Sequence, residues 1–117
     1  MARVIVVEDG WDGHYELAMI CHQAGHQVVT VQGSGMLATA LRAGGADAVV
    51  LDATLPGVCL NSIGAMACEV GVPVVATGYA LKAGPRGIAA FLAKPAAAAA
   101  VLGALQAALR APDAVAA

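Results

Sequence analysis

Two rhythms of apolar residues alternate along this chain. Short runs with little polar interruption occupy Arg3–Val7, Val28–Val31, Val49–Asp52, Val74–Ala76 and Phe91–Ala93. Even with Ala48 added, the run ending at Asp52 is too short for a free-standing helix, and it reads as a strand buried on both faces. Between the runs, apolar residues recur three and four apart. Leu17, Ile20, Cys21 and Ala24 give one helix, stopped at Gly25. Leu37, Ala40 and Leu41 give a second, with Ser34 as its expected cap and Gly44-Gly45 as its end. Ile63, Met66, Ala67 and Val70 give a third, capped by Asn61 or Ser62, stopped by Gly71 and followed by Pro73 at the head of the next strand. The last, Ala96–Arg110, turns Val101, Leu102, Leu105 and Leu109 inward. Strands alternating with helices predict an α/β doubly wound parallel sheet of five strands with right-handed crossovers.

One link breaks the pattern. Tyr79 to Ala90 spans 12 residues, interrupted by Gly84-Pro85 and Gly87. A parallel crossover takes about a dozen residues or more, usually with a helix. One turn or an irregular loop fits there, so the fourth helix is degraded. Stretch 80–90, anchored mainly by Leu81 and Ile88, is the expected mobile element.

Length and composition narrow the classes. The 117 residues make one domain, over 1–111, with a frayed tail at 112–117. Hydrophobic residues reach 60%, but 29 of them are Ala, so bulky core material is scarcer than that fraction suggests. A formal net charge of -2 with 12% charged residues leaves no basic patch for a phosphate backbone, which argues against direct nucleic-acid binding. No apolar run reaches the roughly 18 residues of a membrane span, and Met1-Ala2-Arg3 runs straight into a strand without a leader. Cys21, Cys59 and Cys68 lack CxxC spacing and read as small buried hydrophobes in a reducing, cytoplasmic setting.

The chemistry gathers where the runs end. Val4–Val7 leads into Glu8-Asp9, the central run into Asp52, Val74–Ala76 into Thr77-Gly78, and Phe91–Ala93 into Lys94-Pro95. Carboxyl ends of parallel strands are where open α/β sheets hold ligands. Three carboxylates brought together repel one another unless positive charge compensates, and a hard cation such as Mg²⁺ does this with oxygen ligands. Lys94 supplies a second positive charge for an arriving anion, and Thr77 a hydroxyl donor. These parts describe a carboxylate nucleophile that accepts a phosphoryl group.

In that order, Val-Val-Glu-Asp at 6–9, Leu-Asp-Ala-Thr-Leu-Pro-Gly at 51–57, Ala-Thr-Gly-Tyr at 76–79 and Phe-Leu-Ala-Lys-Pro at 91–95 resemble the receiver domains of two-component response regulators. The resemblance runs from Arg3 to about Arg110 and implies a flavodoxin-like strand order of 2-1-3-4-5. It implies Asp52 as phosphoacceptor, Mg²⁺ held directly by Asp9, through water by Glu8 and by the Thr54 carbonyl, and Thr77 and Lys94 on the phosphoryl group. It also implies a cis Lys94–Pro95 bond, a histidine kinase or histidine phosphotransfer protein as donor, a downstream protein partner, and a signalling switch rather than an enzyme. Phe91 stands where many receivers carry a switch tyrosine and has no hydroxyl to bond. Ala-Thr-Gly-Tyr before a degraded fourth helix is similar to the "FAT GUY" receivers, which work with HWE-type or related kinases, although Val75 replaces that motif's Phe.

Other readings compete. A phosphorylation-silent receiver-like interaction module would keep the fold without the chemistry, but silent versions commonly lose one of the five site residues, all present here. A haloacid-dehalogenase-like phosphatase needs a second Asp where this chain has Thr54. His22 and His26 stand four apart but flank Gly25, a poor metal pair, and His14 reads as a surface residue. Trp11 and Tyr15 are expected beside the site mouth, and Tyr79 over the site or against a partner.

Overall fold

The computed structural model describes residues 1–10, 15–79 and 85–110. Five strands and four helices follow in the order β1 (Arg3–Val7), α1 (Glu16–Gln23), β2 (Gln27–Val31), α2 (Ser34–Ala43), β3 (Ala48–Asp52), α3 (Leu60–Val70), β4 (Val74–Gly78), β5 (Ile88–Ala93) and α4 (Ala98–Arg110). The strands form one sheet in the order β2-β1-β3-β4-β5, and every pairing is parallel. This is the doubly wound, flavodoxin-like arrangement expected from the sequence. Strand order reverses between β1 and β3, which opens a crevice at their carboxyl ends.

Period-two alternation divides the core. Ile5, Val7, Val49, Leu51, Val74 and Ala76 pack with Leu37 and Leu41 of α2 and Ile63 and Ala67 of α3. On the other face Val4, Val6, Ala48 and Val50 meet Leu17 and Cys21 of α1 and Val101 and Leu105 of α4. Because both faces are covered, the central strands read as unbroken apolar runs.

Several boundaries differ from expectation, each for a local reason. Gly33, in extended geometry, is the N-cap of α2, so Ser34 is already helical. Cys59 caps α3 instead of Asn61 or Ser62, and neither cap makes a side-chain hydrogen bond. Cys59 is therefore exposed, so the expectation of buried thiols holds only for Cys21; burial pushes the Cys21 thiol up to about 11. α4 starts at Ala98 rather than Ala96, since the Ala97 carbonyl accepts the first amides, those of Ala100 and Val101. Its buried residues are Val101, Leu105 and Ala108, with Leu102 and Leu109 half-buried. β5 begins at Ile88, earlier than Phe91, because Ala89 and Ala90 carry no strand signal of their own, yet Ile88 and Ala90 pair with Val74 and Val75 of β4 across a register shift that skips Ala89. Gly71 does stop α3, at φ 73° with its amide on the Ala67 carbonyl.

Residues 79–87 join β4 to β5, fewer than a helical crossover takes. Residues 80–84 of this connection, including Leu81, lie outside the described residues, as does the tail 112–117. At the far end of the stretch 80–90, Ile88 and Ala90 pair with Val74 and Val75 of β4. Just before them the chain lies on α3 backbone to backbone. A Cβ built on Gly64 would overlap the Arg86 carbonyl oxygen, and one on Gly87, at φ +95°, would overlap the Gly64 carbonyl. Among the described residues no helix is long and apolar enough to cross a membrane.

Candidate phosphoacceptor site

The ladder carries three strand ends to one level. Asp52 sits opposite Thr77, and Gly78 opposite Ala93. Pairing continues one residue further on each side: the Ala53 amide donates to the Thr77 carbonyl at 2.8 Å and the Lys94 amide to the Gly78 carbonyl at 2.8 Å. Asp52, Thr77 and Lys94 are thus fixed at the carboxyl edge by backbone bonds before any side chain is considered.

Their side chains then converge. Lys94 Nζ lies 2.9 Å from Asp52 Oδ2 and 3.1 Å from Thr54 Oγ1. Thr54 donates to Asp52 Oδ1 twice, from its amide at 2.9 Å and its hydroxyl at 2.6 Å. Burial works to raise the Asp52 carboxyl, but the Thr54 hydroxyl, Lys94 and the Thr54 amide together outweigh it and hold the group below the usual carboxylate range. Asp52 is therefore an anion whose charge is shared by two movable side chains and one backbone amide. Thr77 is buried, and its hydroxyl makes one long 3.5 Å bond to the Leu51 carbonyl, at the weak end of hydrogen bonding.

The acid pair behaves differently. Asp9 is exposed. Glu8 is 7% exposed, and its oxygens accept the amides of Leu17 at 3.1 Å and Ala18 at 3.0 Å. Burial pushes its carboxyl up; the Ala18 and Leu17 amides oppose this, while the negative charges of Asp52 and Glu16 add to it. Glu8, Asp9, Glu16, Asp52, Thr77 and Lys94 line one cleft of about 420 Å³. Tyr79 lines it too, 77% exposed, with its ring centroid 5.6 Å from Lys94 Nζ, close enough for a cation–π contact.

The remaining expectations fall outside the cleft. Phe91 packs against the α2–α3 face with its ring over Gly78, whose Cβ, if present, would stand 2.8 Å from Phe91 Cζ. His26 accepts the Ala2 amide through Nδ1 at 3.2 Å, and His22 is exposed at the end of α1. Among the described residues no three His, Cys, Asp or Glu side chains gather as a metal-holding group, so His22 and His26 form no such site. Tyr15 packs on Gly10, which lines the cleft, but is not itself among the lining residues, while Trp11 and His14 lie outside the described residues. The sequence reading missed the Thr54 side chain, although a Thr two residues after an Asp in a turn is a local signal. It also missed the grip of α1 on Glu8, which no local pattern announces.

No family model matches this chain, and no curated protein matches it in sequence. Solved structures do. A CheY-like receiver domain from Methanospirillum hungatei JF-1 superposes with a TM-score of 0.75 at 16% identity, covering 97% of each chain. This chain has the response-regulator receiver fold. The receiver domain of a Pseudomonas aeruginosa PAO1 sensor histidine kinase, solved with a magnesium ion in its active-site cleft, matches with a TM-score of 0.78 and 21% identity over 93% of this chain and 98% of that one. NtrX of Brucella abortus matches at 25% identity and a TM-score of 0.73, over 96% of this chain but 28% of that longer one. The cis Lys94–Pro95 bond expected of a receiver is present.

Proposed function

We propose that this chain is a phosphorylation switch in which Asp52 accepts a phosphoryl group from a phosphohistidine on a kinase or phosphotransfer protein. The observation that carries it is Lys94 Nζ 2.9 Å from Asp52 Oδ2, with Asp52 itself opposite a buried Thr77 on the neighbouring strand. A carboxylate oxygen of Asp52 forms the O–P bond as the P–N bond of the donor breaks, and the electron pair leaves on the imidazole nitrogen. Lys94 shifts from the carboxylate to the incoming phosphoryl oxygens, and Thr77 trades its long bond to Leu51 for a phosphoryl oxygen. Attack by water on phosphorus later restores the carboxylate, so the protein turns over its own phosphoryl group without acting on a separate substrate.

The donor set fits Mg²⁺. The cation takes one or two carboxylates and keeps several waters, so a preassembled cage is not required, and Glu8, Asp9 and Asp52 line the same cleft. Asp9, Asp52 and the Thr54 carbonyl would hold it, and when bound it offsets charge on the phosphoryl oxygens. The short β4–β5 connection and Ala-Thr-Gly-Tyr at 76–79 favour an HWE-type or related kinase as donor. The readout is a protein partner, and free cysteines favour the cytoplasm. Incubation with Mg²⁺ and acetyl phosphate, followed by intact mass, tests the reading. Wild type gains one phosphoryl group and Asp52→Asn gains none. An unlabelled wild type, also unlabelled by any phosphorylated histidine kinase, overturns it in favour of a phosphorylation-silent module.

A further inference from the structure

Helix α1 begins without a cap of its own. Tyr15 holds the N-cap position and makes no side-chain hydrogen bond there. The next orphan donors, the amides of Leu17 and Ala18, are those a Ser or Asp at the N-cap would serve. Here the acceptor comes from the end of β1, one Glu8 oxygen for each amide. Two amides on two oxygens fix a carboxylate in rotation as well as in place. The Glu8 backbone is fixed as well, its amide donating to the Val31 carbonyl at 3.2 Å.

Glu8 also faces the cleft that it shares with Asp9, Glu16 and Asp52. A carboxylate oxygen that accepts one amide keeps a second acceptor site, so capping α1 leaves Glu8 able to accept from a cation's water. Carboxylates around a metal need such outer partners to hold their orientation. We propose that Glu8 is a positioning residue that couples the first turn of α1 to cation binding in the cleft. Helix α1 orients the carboxylate, and a cation in the cleft tightens the cap on α1. The tightening follows because a cation in the cleft offsets the negative charge of Asp52, which works against a charge at position 8, while the helix N-terminus favours that charge. Coupling between two sites acts in both directions, so a frayed α1 weakens the cation as much as the cation steadies α1. The coupling rests on the Mg²⁺ reading above; the cap itself does not.

Amide hydrogen exchange on the full chain, with and without Mg²⁺, separates the two, with Val50 of β3 reporting global opening. In wild type, Mg²⁺ slows exchange at Leu17 and Ala18 by more than it slows Val50. In Glu8→Ala both amides exchange about tenfold faster without cation and no longer respond to Mg²⁺. Asp9→Ala keeps the cation-free protection but loses the response. Glu8→Gln, which serves if the alanine variant does not fold, retains part of the protection and binds Mg²⁺ more weakly by calorimetry, a split that a purely structural cap would not produce. Unchanged exchange at Leu17 and Ala18 in Glu8→Ala or Glu8→Gln overturns the cap. Mg²⁺ that binds wild type by calorimetry yet leaves both amides unmoved overturns the coupling. No calorimetric binding at all overturns the metal reading and the coupling together, with the cation-free arm still deciding the cap.

Discussion

Glu8 and Asp52 leave the same sheet edge from strands that pair directly, yet they are held in opposite ways. Glu8 is buried, bound by backbone amides, and pushed up. Asp52 is half-buried and held down by a lysine and a threonine, with its side chain 17% exposed. The backbone grip on Glu8 is part of the fold and cannot be released without disturbing α1. On Asp52 the Lys94 and Thr54 side chains can rotate away, leaving the Thr54 amide as the one backbone bond described on its carboxylate. The second kind of hold is the one the proposed phosphoacceptor role calls for, because a nucleophile must change partners during the reaction.

The largest effect that tests this contrast is on rate. Lys94→Ala removes the donor meant to move with the phosphoryl group, and phosphotransfer to Asp52 falls roughly 10²-fold, measured by timed intact mass. The same variant loses less than about 1 kcal/mol of stability, since the pair is partly exposed. A stability loss as large as that of Glu8→Ala would erase the distinction. Glu8→Ala is expected to cost about 1–2 kcal/mol in denaturant unfolding, the range of a lost helix cap with a buried site left behind.

Acid titration should separate the two groups by sign. The Asp52 carboxyl lies below 3.8 in the folded state, so the unfolded chain binds its proton first; its stabilisation is present at neutral pH and is lost as pH falls from near 3.8 through the folded value. The Glu8 carboxyl lies above 4.5, so the folded state binds its proton first; its contribution is full below 4.5 and is lost as pH rises through the folded value. Glu8→Gln should remove the second slope and Asp52→Asn the first, read from unfolding midpoints at a series of pH values without Mg²⁺. Two variants with the same slope change would break the contrast. The smallest effect belongs to Thr54→Val. It removes one hydroxyl donor to Asp52, costs about 0.5–1 kcal/mol or less, and moves the Asp52 titration upward, as followed by carboxyl NMR.

Asp52 and Lys94 were legible because each ends an apolar run at one sheet edge, where position in the chain translates directly into position in space. The doubly wound order followed from the same alternation together with the receiver resemblance. Glu8 was visible as an acid but not as a cap, since the amides it serves are nine and ten residues away and depend on where α1 starts. The helix starts at Gly33 and Cys59 were hidden because neither uses a side-chain cap, leaving Ser34, Asn61 and Ser62 as false signals. Ala89 and Ala90 concealed the start of β5, which is decided by pairing with β4.

The contact of Gly64 with Arg86 and Gly87 limits how this chain can change over generations. A side chain at position 64 would meet the Arg86 carbonyl, and one at position 87 would meet the Gly64 carbonyl, so neither glycine is free to be replaced first. A variant bearing a side chain at either position would have to lift residues 85–87 off α3 to make room for it.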